Sequence, residues 1–195
     1  MKRVKYFMGI ILVAGLLSAS TTVAQAQTLT KKEKRHLEQM RRRKEKSEQR
    51  EISHAYYLQL VKKRYFVFQA DYLTDTQGNS FILSPDINFW RVSGDSTVLQ
   101  LGFDNVIGWN GVGGITVRGT LFHYQVQEGK KGSGINLHTD VKIIGPGLPP
   151  HLTLYVSDDG TAQLTIVTGT GVQITLFGRI FSPARADIFQ GVSQF

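Results

Sequence analysis

Residues 151–167 read HLTLYVSDDGTAQLTIV, and their pattern decides the fold. Leu152, Leu154 and Val156 recur at every second position, as do Leu164 and Ile166, and Asp158-Asp159-Gly160 lies between the two runs. A period of two turns alternate side chains to opposite faces of a strand. An Asp-Gly step accepts the positive φ angles of a tight reversal, so the stretch predicts an antiparallel hairpin. The same alternation extends outward. In Gly134 to Ile144, Ile135, Leu137, Val141 and Ile143 alternate with Asn136, His138, Asp140 and Lys142. Further runs of strand character are Tyr65 to Tyr72, Ser80 to Leu83, Ile87 to Val92, Ser96 to Leu101, Ile115 to Val126 and, beyond Gly169-Thr170-Gly171, Val172 to Phe181. With no helical period between these runs, a parallel βαβ sheet is excluded. The expected fold is mainly β: an antiparallel meander that closes into a barrel or a strongly curved sheet, with a Greek-key sandwich as the alternative.

Upstream of Tyr65 the period changes from two to helical. From Thr30 to about Lys63 there is neither Pro nor Gly, Thr30 and Glu33 have capping-box spacing, and Arg41/Glu45 and Lys44/Glu48 lie four apart. Between Met40 and Ile52 no large apolar residue occurs, so residues 27–50 are expected to form a basic, solvated helical or partly disordered arm. Ile52, Ala55, Tyr56 and Leu60 return at helical spacing, which predicts a docking helix over residues 51–63. Residues 51–181 form the expected barrel-like domain, and residues 182–195 a tail that is either a strap or a loose end.

The first 26 residues have a secretory layout: basic Lys2, Arg3 and Lys5, an apolar run from Phe7 to Leu17, and Ala24-Gln25-Ala26 as a small-x-small cleavage pattern. The apolar run is too short to span a bilayer. The expected product is periplasmic or secreted, and without a cysteine at the cleavage site it is not a lipoprotein. The whole chain has 195 residues, 23 Lys+Arg and 15 Asp+Glu. The charge is unevenly spread: residues 27–64 carry 13 basic and 5 acidic groups, and residues 65–195 carry 7 and 10. The absence of Cys excludes disulfides, thiolate metal sites and a cysteine nucleophile.

Several segments, taken in order, carry a resemblance. They are Tyr65-Phe66-Val67-Phe68-Gln69-Ala70-Asp71, Val92-Ser93-Gly94-Asp95-Ser96, Gly113-Gly114-Ile115, Lys131-Gly132-Ser133-Gly134-Ile135, Leu154 to Ala162, and Gly178-Arg179-Ile180. Over Ser53 to Phe181 the chain resembles the exported Bacteroidetes family called domain of unknown function 4251. The resemblance implies a small barrel of lipocalin-like topology, preceded by a helix and a signal peptide, and it implies no activity.

The residues themselves point to binding rather than catalysis. There is no Gly-x-Ser-x-Gly elbow, no His-Glu-x-x-His and no paired-carboxylate pattern, and the Asp residues fall mostly in expected turns. The sequence Gly108 to Gly114 (GWNGVGG) precedes a strand instead of the helix a phosphate loop needs. A hairpin centred on Lys130/Lys131 would set His123 opposite His138, a weak metal candidate without a third ligand, so no metal or cofactor is expected. A small barrel either encloses one apolar ligand or fills its interior with side chains. The first alternative assigns Trp90, Phe103, Trp109 and Tyr124 to an apolar small molecule. The second makes the protein a structural or partner-docking component of the envelope. Arg41-Arg42-Arg43-Lys44 is the candidate contact for an anionic envelope component. Nucleic acid is not expected, because the run lacks aromatic residues and alternates with Glu. The expected state is a monomer or weak oligomer.

Overall fold

The first and last strands of the domain pair with each other, and this pairing turns the sheet into a barrel. The computed structural model describes residues 30–75, 77–102, 113–129, 133–144 and 148–192. The elements are α1 (Lys31–Lys62), β1 (Tyr65–Thr74), β2 (Ser80–Ile82), β3 (Phe89–Ser93), β4 (Ser96–Gly102), β5 (Gly114–Glu128), β6 (Ile135–Ile143), β7 (His151–Val156), β8 (Thr161–Val167) and β9 (Gln173–Phe181). Strands β3 to β9 pair consecutively, β1 pairs with both β3 and β9, and β2 is a short flap on the far end of β1. All pairings are antiparallel. Eight strands therefore close into an up-and-down barrel, as the alternating pattern predicts.

The closing seam runs from Val67↔Phe181 to Thr74↔Thr175, with a bulge at Asp71. At Gly178 a Cβ would overlap the carbonyl of Gln69, so only glycine lets the two backbones meet there. Alternation places Phe66, Phe68, Trp90, Leu137, Leu154 and Leu164 inside, all with essentially no exposed surface. Trp90 meets Phe66 edge-on at 5.4 Å, and its indole N–H donates to Thr97 Oγ1 at 2.6 Å.

The chain divides near Met40 into two compact units. In the first, Glu33 accepts from the backbone N–H of Thr30 at 2.7 Å, and Thr30 Oγ1 accepts from the N–H of Glu33 at 3.3 Å, forming the expected capping box. In the second, the C-terminal turns of α1 cover one mouth of the barrel. The docking face consists of His54, Tyr57, Leu58 and Val61, with Leu60 also packed on the core. Ile52, Ala55 and Tyr56, expected to dock with them, are exposed. Gly160 explains why Tyr57 faces inward. It has φ +83° and any Cβ would strike the Tyr57 ring, so the turn between β7 and β8 is cut away to receive that side chain.

After β9 the chain forms a strap over the outer face of β1, β3 and β4. Ala186 and Ile188 pack on the outward-facing Val67, Phe89 and Val98. Two buried amides clamp it. Gln69 Nε2 donates to the carbonyls of Pro85 and Asp187 at 3.1 and 2.8 Å. Gln100 donates to the carbonyls of Ile87 and Phe189, and its Oε1 accepts from Gly191 N at 2.8 Å and from Thr116 Oγ1 at 3.0 Å.

Candidate functional site

The barrel mouth opposite α1 holds an apolar cavity of about 150 Å³. Leu99 and Leu101 of β4, Val117 of β5, Val141 and Ile143 of β6 and Ile174 of β9 line it, each placed inward by strand alternation. Ile115 and Leu148 stand at its rim and are 43% and 65% exposed, so the apolar surface continues to the opening. Its polar liners are already occupied: Thr97 accepts from Trp90 and donates to the carbonyl of Arg91 at 3.0 Å, and Thr168 Oγ1 accepts from Val172 N at 3.1 Å and bonds Thr170 Oγ1 at 2.9 Å. Among the described residues no buried side-chain nitrogen or oxygen lacks a partner. The cavity thus offers contact area without a free donor or acceptor, and chemically it suits an apolar group.

Two of the aromatic residues singled out in the sequence, Trp90 and Tyr124, are not among its described lining. Trp90 is fully buried within the packed interior. Tyr124 lies at the helix-covered end, where its hydroxyl donates to the carbonyl of Val61 and the Arg64 guanidinium sits 4.5 Å from its ring centroid. Burial pushes the Tyr124 phenol well above its ordinary value, against a lowering by Arg64. Phe103 and Trp109 lie outside the described residues. The aliphatic liners were overlooked because their alternation reads as ordinary core. Their distinction is position at strand ends, which only the closed register reveals.

The expected His123/His138 pairing is corrected. The strands run from the turn in the register Glu128↔Ile135, which sets Gln125 opposite His138; β5 then bulges between Phe122 and Gln125, which sets Phe122 opposite Asp140. His123 occupies the bulge with φ 51°. Asp140 instead bridges two imidazoles: His151 Nδ1 to Oδ1 and His123 Nδ1 to Oδ2, both at 2.8 Å. Those bonds hold the Asp140 carboxyl below its usual value, His151 contributing most. His138 lies against His151 with ring centroids 6.3 Å apart and bonds Thr153 Oγ1 at 3.2 Å. Among the described residues, no group of three or more His, Cys, Asp or Glu has the arrangement of a metal site.

At the helix end a polar groove of about 390 Å³ is lined by Ser47, Arg50, His54, Glu128 and Asp158, among others. His54 spans it, with Nδ1 2.8 Å from Asp158 and Nε2 3.4 Å from Glu128, while Lys62 approaches the second oxygen of Glu128 at 3.5 Å. These contacts fasten α1 to the barrel. Arg41, Arg42, Arg43 and Lys44 lie on exposed helix, with Arg41 paired to Glu45 at 3.3 Å and Lys44 to Glu48 at 3.8 Å. None of the helices among the described residues is long and apolar enough to cross a membrane.

The profile of the family described as Domain of unknown function (DUF4251) matches residues 43–180. The chain belongs to the DUF4251 family. A crystal structure of a DUF4251 family protein from Bacteroides eggerthii is similar to it, at 26% identity and a TM-score of 0.59. The similarity covers 71% of this chain and 93% of that one. No curated protein matches the chain. The matched DUF4251 region begins within α1 and ends at Ile180 of β9, so it contains the docking turns of the helix and the whole barrel, and excludes the C-terminal strap.

Proposed function

We propose that this DUF4251 protein is an exported, non-catalytic binding protein that takes an apolar group into the cavity at the barrel mouth opposite α1. The observation that carries this reading is the 150 Å³ cavity among Leu99, Val117, Val141 and Ile174, which has an apolar rim. An apolar void of roughly 150 Å³ accommodates a molecule the size of benzene, so the occupant is a small hydrophobe or the end of an alkyl chain. The basic run Arg41 to Lys44 adds electrostatic attachment to an anionic envelope surface. Export rests on the layout of residues 1–26. A second reading, a partner-docking protein with a filled core, is favoured by the helix-covered half of the interior, where Phe66, Phe68 and Trp90 have no exposed surface.

Thermal unfolding with benzene, 1-hexanol and decanoate as probes separates the two. Under the binding reading at least one probe raises Tm, and Val117→Phe, which fills the cavity, removes that rise at little cost in stability. Under the filled-core reading no probe acts, and Val117→Phe costs about 1–3 kcal/mol through overpacking.

A further inference from the structure

The outer face of the barrel carries a second, chemically different recess, and we propose that it is a binding site for a neutral sugar ring. It is a groove of about 470 Å³ on β1, β9, β8 and β7, on the opposite side of the sheet from the apolar cavity. The register explains its shape. Tyr72 pairs with Phe177, Phe177 with Gln163, and Gln163 with Tyr155, so these four residues form one row across four strands. Tyr72 and Phe177 stack at 4.8 Å with ring planes 11° apart. Gln163 separates this stacked pair from Tyr155. Residues two strands apart lie about 10 Å apart at the backbone, and the convex outer surface spreads their side chains further. Phe177 and Tyr155 both line the groove on either side of Gln163, so a saturated ring lying across it meets aromatic surface. Aromatic faces favour the C–H face of such a ring over a charged or strongly hydrated one.

Polar groups occupy the other side of the same groove: Asp71 at the β1 bulge, Thr161 and Arg179, which face each other across β8 and β9, and the Gln163 amide. Among the described residues the side chains of Asp71, Gln163 and Arg179 make no hydrogen bond or ion pair, although Arg179 acts at longer range on Asp159. An unpaired carboxylate, an amide and a guanidinium on rigid strands match the alternating donors and acceptors of a polyhydroxylated ring, and charge-assisted bonds to hydroxyls are the stronger kind. The carboxylate opposes a phosphate or carboxylate ligand, and the four polar groups oppose a purely aliphatic one. A neutral pyranose satisfies both the aromatic and the polar side.

The experiment is saturation-transfer difference NMR on the protein with cellotetraose, xylotetraose, maltotetraose and triacetylchitotriose. At least one is expected to receive saturation on its ring C–H protons. Tyr155→Ala and Arg179→Ala should each weaken that binding at least about tenfold, while Tyr155→Phe retains it. Arg179 is exposed, so its substitution keeps the test valid if Tyr155→Ala unfolds the protein. Val117→Phe, at the barrel mouth, should leave sugar binding within about twofold, which separates this site from the apolar cavity. Absence of transfer to every sugar at millimolar concentration overturns the proposal, and so does binding that is unchanged in Arg179→Ala.

Discussion

Tyr124 donates its hydroxyl to the carbonyl of Val61 at 2.6 Å, joining the last turn of α1 to the middle of a barrel strand. The same carbonyl accepts the backbone N–H of Arg64 at 3.0 Å, so the tyrosine supplies the second of its two hydrogen bonds at the end of the helix. Tyr124→Phe keeps the ring under Arg64 but leaves that carbonyl with the Arg64 N–H alone. The expected loss is about 1 kcal/mol, read from urea unfolding monitored by circular dichroism. An unchanged midpoint would mean that the helix is held by packing alone.

The barrel seam makes a sharper demand. Gly178→Ala places a methyl against the backbone of Gln69 and Ala70, which cannot move without breaking the β1 and β9 ladder. Destabilisation of about 1–3 kcal/mol is expected, in contrast to Gly171→Ala in the exposed β8–β9 turn, where no atom is in the way and only the positive φ is strained. Comparing the Tm values of the two variants tests the assignment.

The strap depends on Gln100, which is fully buried and has four polar partners. Gln100→Leu preserves volume but leaves those partners unsatisfied, with an expected cost of about 1–3 kcal/mol. Deleting residues 182–195 uncovers Val67, Phe89 and Val98 together, and increased binding of a hydrophobic dye is the expected readout.

Acid should loosen the turn between β7 and β8. Hydrogen bonds from Ser157 first, then Thr161, hold the Asp159 carboxyl at about 2, below its ordinary value of 3.8. A group whose pKa is lower in the folded state contributes stability above the unfolded value and loses it as pH falls through the folded one. The Asp159 contribution is therefore complete above about pH 4 and vanishes towards pH 2, and Asp140, lowered by His151 and His123, acts in the same direction. Asp159 is solvent-exposed, so the effect is modest. Asp159→Asn should flatten the decline of Tm with acid while lowering Tm at neutral pH. An identical acid slope in both proteins would count against the assignment.

The strands were legible in the sequence because each buries one face, and strict alternation such as Leu152/Leu154/Val156 has no other reading. Nine runs were expected, and the nine strands lie within a few residues of them. The helix start was legible for a similar reason, since Thr30 and Glu33 satisfy each other locally. What failed depended on distant partners. No local signal fixes the register of the β5–β6 hairpin, whose Glu128↔Ile135 pairing sets Gln125 opposite His138, while the imidazole of His123 bonds Asp140. The tail read equally as a strap or a loose end because its anchors, Gln69 and Gln100, stand far away on β1 and β4. Trp90, one of the aromatics that attract attention in the sequence, fills the core, and the described lining of the cavity is aliphatic strand ends.

The pairing of β1 with β9 also sets the order of folding events. Val67 and Phe181 are about 110 residues apart in the chain, so the contact that closes the barrel carries a long loop-closure cost and is among the last native contacts available. Until residues 173–181 have arrived, β1 and β8 each present an open edge able to recruit a strand from another molecule. A chain interrupted before Gln173 is thus an aggregation seed, and only the complete strand set yields a self-limited particle.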